Sequence, residues 1–194
     1  MYNASQNAAF DKHDIAVYEE VACIPPFSRK MLVLLIQSRT VADGITQTIV
    51  ESNPDIYGKS EKTIEPPTTN GSSSSTTLHS EQSESFYNPQ LTAAREILKE
   101  GKTCVMTATP QCLKLLRTSE FMPFVVFLKS NEDLESPPEE NIFNHSNEDI
   151  ERHYSRYIDT TLDMAPTNQL SEEIIEKLGQ LKTKHQWVPT SWVY

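Results

Sequence analysis

The chain is predicted to be an α/β domain whose parallel sheet is covered by helices on both faces. Two observations carry that class. Short apolar runs at Met31–Ile36, Thr103–Thr107 and Pro123–Leu128 read as buried strands. Segments with apolar residues at helical spacing follow them, and strands alternating with helices imply parallel pairing through crossover connections. A length of 194 residues fits one such domain with extra loops.

The elements follow in order. Residues 1–14 are polar and are read as a disordered N-terminus, ahead of a leading strand and linker at 15–30. Ile15–Val21 is β-branched and reads as an edge strand, stopped by Pro25-Pro26 before the buried strand Met31–Ile36. Val41, Ile45, Ile49 and Val50 recur at helical spacing, and Asn53-Pro54 ends that helix. From about 59 to 85 a Ser/Thr-rich stretch holds too little apolar surface to offset its ordering entropy, which predicts a flexible insert. Asn88-Pro89 opens a helix that stops at Gly101, and Thr109-Pro110 opens a short one through Leu116. A second loop, acidic and proline-bearing, covers about 129–145. Ser146 with Asp149 caps a helix through Tyr157, Ile158–Leu162 is a shorter strand, and Ser171 caps a last helix to about Leu181. Trp187–Tyr194 reads as extended.

Composition narrows the function. The net charge is −10 with no basic stripe, which argues against nucleic-acid binding through counterion release. The apolar runs are far shorter than a membrane span, and Met1–Phe10 lacks the regions of a signal peptide, so a cytosolic chain is expected. The five histidines lack ligand spacing, and no metal or cofactor is assigned. Cys104 and Cys112 read as buried thiols. Between Met31–Ile36 and the helix that follows, Gln37-Ser38-Arg39-Thr40 has no glycine. A phosphate-binding loop needs glycine there so that several N–H groups can converge on an anion.

Three segments carry a resemblance. They are Tyr18–Ala22 with Pro25-Pro26-Phe27 and Arg29-Lys30, the long stretch Thr109–Phe127, and Gln186–Tyr194. They resemble the guanylate-kinase-like domain of membrane-associated guanylate kinase (MAGUK) scaffolds, the membrane-palmitoylated-protein subfamily nearest. The resemblance implies a P-loop-NTPase-like parallel sheet flanked by helices, with the kinase-like part at 31–186 and a C-terminal strand at 187–194. Laid against the family, the glycine positions of the phosphate loop hold Ile36, Arg39 and Val41, and its basic position holds Ala42. The acceptor-gripping arginines fall at Pro66 and Thr69, and the metal-organising acid at Thr107. The nucleoside-binding and lid regions are short. Removing one transition-state donor can lower a rate on the order of 10²–10³-fold, and here the loop, cation, clamp and carboxylate all differ. The resemblance therefore implies a non-catalytic interaction domain rather than an enzyme.

What remains is the chain's two ends. In this family the flanking strands belong to a neighbouring Src-homology-3 fold, so the resemblance implies that the ends pair and dock such a module, in cis or in another chain. The residues expected to form that surface are Tyr18, Glu19, Val21, Trp187, Val188, Trp192 and Val193. Alternatively, Trp187 and Trp192 pack on the domain's own body. Other scaffold or polarity proteins are the expected partners, at the plasma membrane or a cell junction, with membrane contact only indirect. Arg152 and Arg156 read as a solvated face paired with Glu148 or Glu151, the sharper alternative being a phosphate clamp. The serine run is a solvated linker or, alternatively, a phosphorylation platform. The rival readings of the whole are an active nucleoside monophosphate kinase and a truncated product that folds poorly.

Overall fold

The computed structural model describes residues 19–60, 89–130 and 141–193. The expected disordered N-terminus, most of the serine-rich insert, Tyr18, Pro66, Thr69 and the helix cap Asn88 lie outside them. A short strand β1 (Val21–Ile24) is followed by β2 (Met31–Leu35), helix α1 (Arg39–Ser52) and β3 (Tyr57–Lys59). Then come α2 (Pro89–Lys99), β4 (Thr103–Thr107), α3 (Leu113–Leu116), β5 (Pro123–Lys129) and α4 (Asn147–Tyr154). Strand β6 (Thr160–Asp163), α5 (Thr167–Leu181) and β7 (Gln186–Pro189) complete the order.

Five strands form one sheet in the order β3-β4-β2-β5-β6, every neighbouring pair parallel. Parallel strands need helical crossovers, and those helices bury both faces of the sheet. All five residues of β2 are buried, as the unbroken apolar run requires. Side chains alternate across a strand. Met31, Val33 and Leu35 therefore join one core with Val125, Phe127 and residues of α2 and α3. Leu32 and Leu34 join the other with Phe124, Val126, Ile45, Ile49, Leu170 and Ile174.

Local chemistry accounts for most boundaries. Gly101 ends α2 at φ 77°, the left-handed position that a Cβ disfavours. Ser146 caps α4 by accepting from the Asp149 N–H at 3.1 Å. At Gly58 a Cβ would lie 2.6 Å from Ile97 Cγ2, so the close approach of β3 to α2 requires glycine.

Several expectations are corrected. Among the described residues the first strand begins at Val21 and runs on to Ile24, in register with β7; Ile15–Tyr18 of the expected strand lie outside the described residues, and Glu19 and Glu20 are not in a strand. Ser38 caps α1, so that helix starts at Arg39 rather than Val41. Ser171 is not a cap: α5 starts at Thr167, and the Ser171 hydroxyl donates back to the Thr167 carbonyl at 2.8 Å. β6 lies two residues later at its start than expected, at Thr160. Helix α4 gives way at Ser155–Tyr157 to a tighter 3₁₀ turn, so Arg152 and Arg156 do not share a continuous helix. Glu151 bonds Lys129 at 2.6 Å instead of an arginine, and Arg156 stands 4.7 Å over the Tyr157 ring. β3 has no counterpart among the elements expected from the sequence.

Cys23 is exposed, whereas Cys104 and Cys112 are buried. Burial pushes the Cys104 thiol up to about 12, so thiolate is scarce at neutral pH. The native chain is expected to react with a thiol reagent at Cys23 alone, and at all three cysteines once denatured. Fast native modification of Cys104, read by peptide mass, would contradict this packing.

Candidate interaction surface at the paired chain ends

Two regions bear on function: the C-terminal end of β2, where open α/β sheets bind ligands, and the paired termini. At the first, the connection Ile36–Ser38 leads straight into α1. Ile36 is buried, the Ser38 hydroxyl accepts from the Val41 N–H, and the Ala42 N–H donates to the Ser38 carbonyl at 3.0 Å. The chain's own segment 141–145 lies across this connection. The Ile142 N–H donates to the Gln37 carbonyl at 2.7 Å, the Gln37 amide donates to the His145 carbonyl, and Ser38 bridges Asn141. Phe143 from the same segment is buried in the core. Thr107 is buried at the end of β4.

At the second region, β1 and β7 pair antiparallel, with Val21 opposite Pro189, Ala22 opposite Val188, Cys23 opposite Trp187 and Ile24 opposite Gln186. An isolated two-stranded ribbon is marginal in water, so the body must hold it. Arg29 and Gln186 do so. The Arg29 guanidinium, 4% exposed, donates from Nε to Gln186 Oε1 at 2.7 Å and from Nη1 to the Pro123 carbonyl at 2.9 Å. Its Nη2 reaches Asp159 Oδ1 at 3.4 Å. It also lies 5.0 Å from the centre of the Trp192 ring. The Gln186 amide nitrogen donates to the Phe27 and Leu181 carbonyls at 2.7 and 2.8 Å.

The charges near Arg29 pull in opposite directions. Burial lowers the Arg29 pKa, Asp159 raises it and Arg117 lowers it, yet a guanidinium stays protonated. Burial pushes the Asp159 carboxyl above its ordinary range, against the pull of Arg29, the Val125 N–H and Arg117. The 30% of the Asp159 side chain that stays exposed limits that rise. Outside this cluster, Arg117 grips Glu19 with two bonds, 3.2 and 2.7 Å, and donates to the Arg156 carbonyl at 2.6 Å. The Thr190 N–H donates to the Glu20 carbonyl at 3.0 Å.

Residues 70–182, more than half of the chain, match the family model described as guanylate kinase. The chain belongs to the guanylate kinase family. Its whole length aligns with MAGUK p55 subfamily member 2 of Rattus norvegicus at 29% identity over 241 residues, covering 42% of that protein. It aligns likewise with Protein PALS2 of Homo sapiens at 29% identity, covering 43%, and with Protein lin-2 of Caenorhabditis elegans at 30%, covering 22%. The chain thus spans less than half the length of these relatives. The alignment to the rat protein is longer than the 194 residues here, so that relative holds segments this chain lacks. In fold, the chain is similar to the apo SH3-kinase fragment of tight junction protein 3. That match has a TM-score of 0.53 at 18% identity and covers 96% of this chain and 75% of the fragment.

Within this guanylate kinase-like domain the described members of the expected surface fall into three groups. Val21, Trp187 and Val193 are exposed, Trp187 most of all at 68%. Val188 and Trp192 are buried and turned to the body, holding the ribbon rather than meeting solvent. Glu19 is engaged with Arg117. The predicted extended C-terminus is corrected: β7 ends at Pro189 and the chain turns through a 3₁₀ segment, Thr190–Trp192, closed by the Val193 N–H on the Thr190 carbonyl. Arg29, Gln186 and Arg117 lie in the segments that carry the resemblance, but their anchoring role, and Asp159 altogether, were not read from the sequence, since their partners lie far away along it. Among the described residues no group of three His, Cys, Asp or Glu is placed to hold a metal ion, and no helix is long and apolar enough to cross a membrane.

Proposed function

We propose that this chain is a non-catalytic guanylate kinase-like interaction domain of a MAGUK scaffold, which docks a Src-homology-3 module through its paired ends. The observation that carries the reading is the ribbon. It brings both chain ends together, anchors them through Arg29 and Gln186, and leaves Val21 and Trp187 outward. The structural relative is itself an SH3-kinase fragment, which supports a coupling of the two folds in one chain. The place of action is the cytoplasmic face of the plasma membrane or a cell junction, among junction or polarity proteins.

Loss of nucleotide chemistry belongs to the same reading. Phosphoryl transfer needs amides, cations and metal aimed at the transferred group. At the end of β2 the residues present do not fit a phosphate chain. The connection lacks glycine, its groups bond to one another, and segment 141–145 occupies the space beside it. The test of the docking claim is titration of the chain with the isolated Src-homology-3 module of a membrane-palmitoylated-protein relative. Saturable binding that disappears when Trp187–Tyr194 is deleted is expected. Binding that survives the deletion rejects the claim.

A further inference from the structure

We infer that the cleft between the kinase-like body and the turn after β7 is a site for an acidic peptide, with Arg117 and Arg156 as its cations and Glu19 as an intramolecular stand-in for the ligand. The inference does not rest on the docking reading, since it needs no Src-homology-3 module. The cleft opens where β5 and β6 begin, at the opposite end of the parallel sheet from Gln37 and Ser38. Arg29, Arg117, Tyr157, Asp159, Trp187 and Trp192 line it. Its enclosed room, about 20 Å³, takes a water or a carboxylate oxygen and is far too small for a nucleotide. Any ligand therefore lies across the mouth and sends in small polar groups.

The polar groups here are mostly donors. Arg117 and Arg156 stand over the Tyr157 ring, 5.7 and 4.7 Å from its centre. Arg117 already grips a carboxylate. Its Nε and Nη2 donate to the Glu19 oxygens at 3.2 and 2.7 Å, the two-bonded geometry that a guanidinium favours. That carboxylate shows the chemistry the site accepts. The Glu19 side chain is 43% exposed, and a pair so close to solvent is weak enough for a competing carboxylate to replace. Arg156 is exposed, and among the described residues no carboxylate pairs with it. Trp192 adds a buried indole N–H that has no acceptor. With Arg29 matched by Asp159 and Arg117 by Glu19, Arg156 leaves this cluster positive in a chain whose net charge is −10. A segment with two neighbouring acidic residues answers both arginines: one carboxylate replaces Glu19 on Arg117, and the other pairs with Arg156. An anionic bilayer fits less well, because it repels the remaining surface of so acidic a chain.

The experiment titrates the full chain with a capped hexaglutamate peptide, followed by the fluorescence of Trp187 and Trp192. Glu19→Gln frees Arg117 and should bind the peptide about fivefold more tightly than the unsubstituted chain, the effect of one exposed ion pair. Glu20→Gln removes the same charge at the next position without freeing Arg117, and should match the unsubstituted chain. Arg156→Gln should bind about fivefold more weakly, and a capped hexaglutamine peptide should not bind. Equal gains in Glu19→Gln and Glu20→Gln, or an affinity unaltered by Arg156→Gln, overturn the inference, since the attraction is then diffuse. Absence of peptide binding by Glu19→Gln overturns it too, as does binding to phosphatidylserine vesicles but not to the peptide. All three substituted positions are exposed, so the variants should fold. Should one not, the unsubstituted chain decides: the peptide should shift the side-chain N–H resonances of Arg117 and Trp192, and shifts confined to other residues reject the site. None of these outcomes bears on the docking reading.

Discussion

Replacing Arg29 with alanine is expected to destabilise the domain by about 3 kcal/mol, because it strips the buried Gln186 amide and the Pro123 carbonyl of their donor and leaves the part-exposed Asp159 carboxylate without its cation. In a domain of this size that is a fall in Tm of about 6–12 °C, read by calorimetry. The direction with pH is equally specific. Without the guanidinium, the pKa of Asp159 in the folded chain rises further above its unfolded value of about 3.9. A carboxyl raised in this way destabilises the fold while ionised and ceases to do so when protonated. The gap between Arg29→Ala and the unsubstituted chain should therefore be full near neutral pH and narrow as pH falls through the folded pKa of Asp159. A gap that is constant or widens in acid would mean that Arg29 acts by packing on Trp192 and Phe27 rather than by charge.

Trp187→Ala should separate docking from folding. The side chain is 68% exposed, so its removal should change stability by no more than about 0.5 kcal/mol. A tryptophan that becomes buried at the centre of an interface commonly accounts for about 2 kcal/mol or more, so affinity for the Src-homology-3 module should fall about 30-fold or more. Unchanged affinity with an unchanged Tm would remove this face from the interface. A large fall in Tm would instead place Trp187 in the fold of the domain itself. Val188 and Trp192 cannot serve as such probes, since both are buried and hold the ribbon down.

The parts of the fold legible in the sequence are those whose signal is local. Met31–Leu35 is apolar at every position because neighbours cover it on both faces, and that pattern needs no partner to be read. Gly101 and Ser146 announce their helix ends because their conformations are set within a few residues. Expectation and structure part where distance or ambiguity governs. β3 is an edge strand of 3 residues with glycine at its centre, too short and polar for periodicity to register. Ser171 has the chemistry of a cap, but the same hydroxyl bonds the preceding turn from within a helix. The bounds of β1 depend on its register with β7, more than 160 residues away.

The candidate site shows the same division. Resemblance located the two ends, yet the residue that fastens them, Arg29, reaches partners at Pro123, Asp159 and Gln186. The resemblance includes Arg29-Lys30, but the partners Arg29 binds come together only in the fold. The exposure of Trp187 against the burial of Trp192 likewise follows from the turn after Pro189, which an expectation of continuous extended backbone misses.

A scaffold domain without phosphate chemistry should be indifferent to nucleotides, and calorimetric titration of the full chain with ATP, GMP and magnesium tests that most directly. The account predicts no saturable heat in the micromolar range and no ADP or GDP on prolonged incubation. Micromolar binding accompanied by formation of both diphosphates would contradict it.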